Sequence, residues 1–375
     1  MNKKIIYVGN DSRYFMMHRY PLAVAARDAG YDVHAALPVG PELGEIERSG
    51  IHVHRIELKR GGVRILNDIS TLRGLCALYR AVEPDIVHHH TIKPVILGGL
   101  SARIAGCRNA VSGITGLGHV FASDGFLAGV RRGLVSNAYR LALRGGGSRV
   151  IFQNSDDMSL FVKKGIIAYD KARLIRGSGV DLEKYRVLPE PCGRVAIALV
   201  SRMLWSKGIG EFVRAAGLLR SEGLDARFVL VGDVDKSNPD SISTNQLSKW
   251  SESGVVEWNG WVDDIVDVYE SAHIVCLPSR YGEGVPRSLI EAAACGRPIV
   301  TTDAPGCREI VRDGENGILV PVGDELSLAY ALRRLIADGD LRQRMGERGR
   351  SIVESEFSLK RVIDETLAVY EELLL

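Results

Sequence analysis

The chain has 375 residues, 46% of them hydrophobic and 25% charged, with a formal net charge of +2. That length exceeds one ordinary core and points to two domains, while the near-balanced charge excludes a general nucleic-acid binder, which would present a strong positive field. No window has the apolar length of a membrane-spanning helix, and the six cysteines include no C-x-x-C pair, so a reduced, cytoplasmic protein is expected.

Short β-branched runs alternate with helical periodicities from end to end. The first, Ile5–Val8, is four apolar residues that meet Asn10, Asp11 and Arg13. It is too short for the core of a secretory signal and suits a strand. Further strands are predicted at Asp32–Leu37, His52–Leu58, Ile86–His89, Ala110–Thr115, Val150–Gln153 and Ala172–Ile175. Helices are predicted between them at Met17–Ala29, Ile69–Val82, Val95–Ala105 and Leu127–Leu143. Leu188-Pro-Glu-Pro-Cys-Gly193 has no periodicity and reads as a linker. A second alternation follows, with strands at Val195–Val200, Phe228–Gly232, Val255–Trp258, Ile274–Leu277, Pro298–Thr302 and Gly317–Val320. Its helices are expected at Ile209–Leu219, Asp264–Ser271, Arg287–Ala294, Leu326–Ile336 and Leu341–Ser351. The pattern implies an α/β fold with two Rossmann-like domains, 1–187 and 194–356, and a C-terminal helix in 357–375 that packs back on the first. Ligands of such sheets sit outside the carboxyl ends of the strands, so two sheets facing across a cleft would share a site there.

Two features of the first half stand out. His88-His-His90 ends a strand, where side chains alternate in direction, so the three rings cannot converge on one ion. One or two at the ligand edge with the rest packed is the favoured arrangement, and Lys93 nearby suits a phosphate. Between Ile86 and Ser155 the single acid is Asp124, against Lys93, Arg103, Arg108, Arg131, Arg132, Arg140, Arg144 and Arg149. In the helix Leu127–Leu143, Leu127, Val130, Leu134, Ala138 and Leu141 share one side, and Arg132, Arg140 and Arg144 another. A core face with a solvated face is the commoner meaning of such a pattern. The long absence of acids raises a second, a basic amphipathic helix on an anionic membrane surface.

The second half carries the denser constellation. After Val195–Val200 comes Ser201-Arg-Met-Leu-Trp-Ser-Lys-Gly208, with Arg202 at a strand exit and Lys207 at a helix entry. A diphosphate would be held there by fixed cations and helix-end amides; two solvated surface charges are the plainer alternative. After Ile274–Leu277 comes Pro278-Ser-Arg-Tyr-Gly-Glu-Gly-Val-Pro-Arg-Ser-Leu-Ile-Glu-Ala-Ala-Ala-Cys-Gly296. Gly282 and Gly284 allow close backbone approach, and Pro286 is placed to open a helix. Glu283 and Glu291 frame seven residues, and carboxylates pair well with sugar hydroxyls. Asp303-Ala-Pro-Gly-Cys-Arg-Glu309 repeats the layout of strand, glycine turn and helix start.

The run from Glu283 to Glu291 resembles the E-x7-E motif of glycosyltransferase family 4. So do Pro278-Ser279, Gly284-Val285-Pro286, Glu291-Ala-Ala-Ala-Cys-Gly296 and Arg308-Glu-Ile-Val311, while Ser201-Arg202 with Lys207-Gly208 is similar to that family's diphosphate-binding pair. The resemblance implies the GT-B fold, retention of anomeric configuration and no bound metal or other cofactor. It implies that Arg202 and Lys207 bind the donor diphosphate, that Glu291 binds the ribose, that Glu283 faces the donor sugar and that the turn at Trp261-Val262 meets the nucleobase. Gly284, Val285 and Pro286 would line the donor site, and Gly9 takes the place of a glycine-rich loop after the first strand. Asn10, Arg13, His90 and Lys93 are the candidates for the acceptor side. Gly113, Gly116 and Gly118 leave His119 able to meet the donor sugar or the acceptor. His90-Thr-Ile-Lys-Pro94, Thr115-Gly-Leu-Gly118, Phe152-Gln-Asn-Ser-Asp-Asp157 and Arg176-Gly-Ser-Gly-Val-Asp181 are similar to a narrower group. These are bacterial N-acetylgalactosaminyltransferases of polyprenyl-diphosphate glycans, which implies a UDP-HexNAc donor and a lipid-linked saccharide acceptor.

Other readings stay open at this point. Asp233-Val-Asp235 and Asp338-Gly-Asp340 match the three-residue metal motif of the other major transferase fold, a pattern common by chance. Sugar-nucleotide epimerases share the two-domain fold, and a nucleotide-sugar-binding module without turnover is conceivable. No G-x-G-x-x-G follows the first strand, which disfavours a dehydrogenase.

Overall fold

The structure is a computed structural model, and it describes residues 2–58, 65–117, 126–236 and 238–375, the side chains of 65 and 126–128 aside. The chain divides into two compact units, one of residues 1–178 with 361–375, the other of residues 179–360.

The first unit holds β1 (Lys4–Val8), β2 (Asp32–Leu37), β3 (His52–Arg55), β4 (Ile86–His90), β5 (Asn109–Ile114), β6 (Gly147–Phe152) and β7 (Ala172–Leu174). They form one parallel sheet in the order β3-β2-β1-β4-β5-β6-β7. The second unit holds β8 (Val195–Val200), β9 (Ala226–Val231), β10 (Glu257–Trp258), β11 (Ile274–Leu277), β12 (Ile299–Thr302) and β13 (Gly317–Val320), again all parallel, ordered β10-β9-β8-β11-β12-β13. Continuous apolar runs suit such sheets because helices cover both faces; Ile5 to Val8 are fully buried, as are Ile274 to Cys276. The strand order reverses between β1 and β4 in one sheet and between β8 and β11 in the other. Those are the switch points where the connecting loops part and leave a crevice at the carboxyl ends.

Several elements differ from expectation, each for a local reason. Met17–Ala29 is not one helix but two, Ser12–His18 and Tyr20–Asp28, broken at Arg19 (φ −129°). Pro21 lacks the N–H that a continuous helix would need and stands in the first turn of the second helix, where none is required. Helices Ser155–Lys163 and Thr244–Glu252 escaped the periodicity reading although their caps were in plain sight. Asn154 accepts from the Asp157 amide at 2.7 Å and Ser243 from the Gln246 amide at 3.2 Å.

The basic helix, Phe126–Ala142, is turned the other way round from its apolar pattern. Val130, Leu134 and Leu141 are 49%, 67% and 51% exposed, whereas Ser136, Tyr139 and Ala142 are buried. Tyr139 and Phe161 meet edge to face at 5.1 Å, and this large aromatic contact outweighs the smaller aliphatic row. Among the described residues, no helix is long and apolar enough to cross a membrane.

The division between units also differs from the proline-marked segment at 188–193. Leu188 is buried and its amide donates to the Cys295 carbonyl at 3.2 Å, Arg297 donates to the Pro189 carbonyl at 2.7 Å, and Glu190 pairs with Arg342. Prolines remove periodicity without removing contacts, so this stretch belongs to the second unit. At the other end, Val362, Val369 and Tyr370 of helix Leu359–Leu374 enter the core around Ile5, Tyr7 and Phe15. Tyr370 Oη lies 2.5 Å from His88 Nδ1 and donates to Tyr7 Oη at 3.1 Å. Tyr370→Phe would leave the buried His88 nitrogen without its partner and is expected to cost about 1–3 kcal/mol. A urea midpoint equal to that of the parent chain would contradict this.

Candidate functional site

In the second unit, Arg202, Lys207 and Glu283 lie on the loops that leave β8 and β11, at the switch point. Beyond β8 the backbone presses on the exit of β9: the Met203 amide donates to the Asp233 carbonyl at 3.0 Å, and a Cβ on Gly232 (φ +134°) would lie 1.8 Å from the Ser201 carbonyl oxygen. The loop then makes one tight turn, Trp205–Lys207, and enters helix Ile209–Ser221 through Gly208 at φ +74°. A Cβ on Gly208 would stand 1.9 Å from the Pro278 carbonyl oxygen. The β8 and β11 exits are therefore in backbone contact, and the Arg280 amide adds a bond to the Ser206 carbonyl at 2.8 Å.

This contact brings Lys207 to Glu283. Their side chains form a direct ion pair, 16% and 22% exposed, and Ser279 Oγ donates to the other carboxylate oxygen at 2.7 Å. Burial acts to raise the Glu283 pKa, but the Lys207 charge and hydrogen bond, the Ser279 hydroxyl and the more distant Arg202 charge hold it below the usual carboxylate range. Arg202 pairs with Asp235 at 2.7 Å and is 45% exposed. The backbone of Glu283 and Gly284 is itself gripped. The Glu283 amide donates to the Pro305 carbonyl at 3.1 Å, and a Cβ on Gly306 (φ +83°) would fall 2.0 Å from the Gly284 oxygen.

Glu291 occupies a different setting. Pro286 caps helix Arg287–Ala294, and Glu291 lies within it, 7% exposed. Its carboxylate accepts from Tyr185 Oη at 2.8 Å, Tyr269 Oη at 3.0 Å and Arg287 Nε at 2.8 Å. Burial first, and the Glu291 charge second, push both phenols upward, so they stay protonated and donate. A carboxylate offers about four lone-pair sites, so three are taken by the protein itself. The two glutamates are thus not a pair: Glu283 answers Lys207, and Glu291 answers two tyrosines and an arginine.

Val285 and Pro286 are buried in the turn, and Val262 packs against Ala198, Val229, Val231 and Val268 with Trp261 exposed beside it. Asp235 is committed to Arg202, and Asp338 caps helix Gly339–Glu356 through the Leu341 amide at 2.8 Å, which gives both D-x-D words a local explanation. Among the described residues, no group of three or more His, Cys, Asp or Glu is arranged to hold a metal ion.

In the first unit, Gly9 is buried at the end of β1 with its amide on the Ala36 carbonyl at 3.1 Å, Asn10 is half-buried, and Arg13 is exposed on the first helix. His88, His89 and His90 are all buried. His88 and His90 share one face, their rings 4.0 Å apart, and His89 points to the other, 3.0 Å from Tyr79 Oη. Burial lowers all three pKa values, that of His89 to about 3, so the rings are neutral. His90 stacks at 6.0 Å on Tyr7. Lys93 donates to Asp68 at 3.0 Å, so its charge already has a local partner. His119 lies outside the described residues.

Sequence reasoning missed Tyr185, Tyr269 and Arg287, and it named Ser279 and Asp235 without the partners they have here, Glu283 and Arg202. Arg287 was accessible as the i, i+4 partner of Glu291. Tyr185 stands 106 residues from Glu291 and carried no local signal.

With this geometry in place, the comparisons decide the family. Residues 194–338 match the model "Glycosyl transferases group 1", and residues 4–155 match "Glycosyl transferase 4-like". The chain is a family 4-like glycosyltransferase. It is 26% identical over 337 residues to the N,N'-diacetylbacillosaminyl-diphospho-undecaprenol alpha-1,3-N-acetylgalactosaminyltransferase of Campylobacter jejuni, covering 86% of this chain and 87% of that protein. It is 25% identical to the UDP-Gal:alpha-D-GlcNAc-diphosphoundecaprenol alpha-1,3-galactosyltransferase of Escherichia coli, covering 83% and 81%. The fold of this glycosyltransferase is GT-B. It is similar to HepE of Anabaena, solved in complex with UDP and glucose, with a TM-score of 0.81 and 19% identity over 99% of this chain and 100% of that one.

Proposed function

We propose that this enzyme transfers a sugar from a UDP-sugar to a polyprenyl-diphosphate-linked saccharide, with retention of configuration, in surface-glycan or glycoprotein-glycan assembly. The donor sugar is read as an N-acetylhexosamine such as N-acetylgalactosamine. The observation that carries the reading is the convergence of Lys207, Arg202 and Glu283 at the β8/β11 switch point, each held by a neighbour it can exchange. The two lipid-linked sugar transferases among the relatives support the acceptor class, and the UDP complex of HepE supports the donor class.

The chemistry follows from the charges. The departing group is a nucleoside diphosphate whose negative charge grows as the sugar–oxygen bond breaks. Lys207, Arg202 and the amides at the start of helix Arg287–Ala294 stabilise that charge more in the transition state than before it. Donor phosphate takes Lys207 from Glu283, and the released carboxylate faces the positive charge developing on the sugar ring. Front-side attack by the acceptor then gives retention without a covalent enzyme intermediate. Glu291 anchors the ribose through its remaining acceptor site, held in orientation by Tyr185, Tyr269 and Arg287. Gly9, Gly284, Val285, Pro286 and Val262 serve the donor, Asn10, Arg13, His90 and Lys93 serve the acceptor, and His119 contacts the donor sugar or the acceptor.

The deciding experiment is a panel of UDP- and GDP-sugars with undecaprenyl-diphosphate-linked saccharides, read by product analysis with anomeric assignment. Product with a UDP-sugar and retained configuration is expected. Turnover of nucleotide sugar without acceptor would instead mark an epimerase. Because protein cations do the charge handling, EDTA is expected to leave turnover unchanged, and its abolition would refute the metal-free mechanism.

The enzyme is proposed to work at the cytoplasmic face of the membrane, bound peripherally through helix Phe126–Ala142. The exposed Val130, Leu134 and Leu141 supply an apolar strip, and Arg132, Arg140 and Arg144 supply the attraction to anionic headgroups. Neutralising the three arginines is expected to weaken co-sedimentation with anionic liposomes by about a hundredfold, given about 1 kcal/mol per cation near the surface, and less in high salt. Unchanged binding would end this proposal.

A further inference from the structure

The first unit contains a buried cation without a counter-ion. Arg19, at the break between helices Ser12–His18 and Tyr20–Asp28, is 7% exposed. Its Nε is buried without a hydrogen-bond partner, and none of the ion pairs among the described residues involves it. Its charge reaches Tyr7, His88, His90 and Tyr370, which burial keeps neutral. Buried arginines are rare unless paired, because a low-dielectric site cannot repay the lost hydration of an isolated charge.

The same place holds a second oddity. His90 is 1% exposed, and both its ring nitrogens are buried without a partner. Arg19, His88, His90, Gly113, Thr115, Gln153 and Gly177 line one pocket at the carboxyl ends of β4, β5 and β6. Gly113 leaves the space open, since a Cβ there would come within 3.1 Å of His90 Nδ1. The floor has room for about one water-sized group.

We infer that this pocket is an oxyanion subsite that receives one oxygen of a phosphate group, held by the Arg19 guanidinium with His90 and Gln153 as neutral hydrogen-bonding walls. A water would satisfy the imidazole but leave the charge uncompensated; a phosphate oxygen answers both. A phosphate is also too large to enter whole, so it seats at the mouth with the rest of its substituents outside. Assigning that phosphate to the acceptor rests on the lipid-linked reading above, whereas the anion subsite itself does not.

The test uses the full chain saturated with UDP, so that the second-unit cations are occupied. Inorganic pyrophosphate is expected to raise the thermal midpoint of the parent chain, and Arg19→Gln is expected to lose that response. In anion-free buffer Arg19→Gln is further expected to melt higher than the parent, by about 2–4 °C, because it removes a buried unpaired charge. A purely structural arginine would melt lower on replacement. No pyrophosphate response in the parent, or an equal response in Arg19→Gln, overturns the inference. Should Arg19→Gln fail to fold, Arg19→Lys, which keeps the charge, must retain the response, and its loss of response with an intact fold would overturn the inference equally. The source is then read from kinetics. An acceptor-derived phosphate predicts a KM raised about tenfold in Arg19→Gln for a diphosphate-linked saccharide and unchanged for the same saccharide on a phosphate-free alkyl chain. A free-phosphate effector predicts equal KM changes for both. If neither acceptor is used, the acceptor reading fails while the pyrophosphate response still decides the subsite.

Discussion

Glu283→Ala and Lys207→Ala are each expected to lower turnover by at least about tenfold, equivalent to about 1.4 kcal/mol of barrier. The two changes are not independent, because Lys207 and Glu283 form one ion pair beside the Ser279 hydroxyl. On the proposed mechanism, removing Lys207 deprives the leaving diphosphate of a cation, and it leaves Glu283 in a half-buried site without its neutralising partner. Removing Glu283 leaves Lys207 free to bind phosphate, so donor affinity is retained or strengthened while the chemical step slows. The expected signature is therefore a raised donor KM with a lowered kcat for Lys207→Ala, and a lowered kcat without a raised donor KM for Glu283→Ala. The double variant should be less impaired than the product of the two, as residues acting as a unit are non-additive. Steady-state kinetics on all three variants checks this, and parent-like rates in both single variants would remove the site assignment.

The second large effect is expected at a residue with no side chain at all. Gly208→Ala places a Cβ 1.9 Å from the Pro278 carbonyl oxygen at a φ of +74°. Left-handed backbone alone costs a non-glycine residue about 1–3 kcal/mol, and the clash forces the β8 and β11 exits apart. Lys207 precedes this glycine and Glu283 follows Pro278 by five residues, so the displacement separates the pair. The expected outcome is a loss of about 3 kcal/mol or more of stability with donor binding abolished. Gly217→Ala is the matched control. It lies within helix Ile209–Ser221, nothing stands within 4 Å of its Cβ position, and alanine there should be neutral or stabilising by up to about 1 kcal/mol. Chemical denaturation with UDP titration of both variants separates them; a Gly208→Ala chain as stable as the control would show that the two exits are not locked together.

Periodicity located nearly every strand because buried parallel strands must be apolar without interruption, as Ile5–Val8 and Val195–Val200 are. It failed at the helix Phe126–Ala142, where it found the apolar row but not the direction it faces. Which row is buried is settled by what the helix packs against, here Phe161 of helix Ser155–Lys163 for Tyr139, and that neighbour is not encoded in the helix itself. The proline-marked segment differs from the contact-based division for a related reason: prolines at 189 and 191 announce irregular backbone, but Leu188 and Arg297 decide to which body it is tied.

The site shows the same split. The spacing of Arg202, Lys207, Gly208, Glu283, Pro286 and Glu291 was legible because each sits within a few residues of a strand exit or helix start, where backbone chemistry restricts the residue types. Sequence alone established the α/β class, the two-body organisation and the loops that carry the charged groups, since these depend on local propensity and hydrophobic period. Only the tertiary structure joined Lys207 to Glu283, enclosed Glu291 with Tyr185 and Tyr269, and buried Arg19 beside His90. Those pairings depend on strand order, which brings β8 beside β11 and β1 beside β4 across dozens of intervening residues, and a charge finds its partner by distance in space, not by separation along the chain.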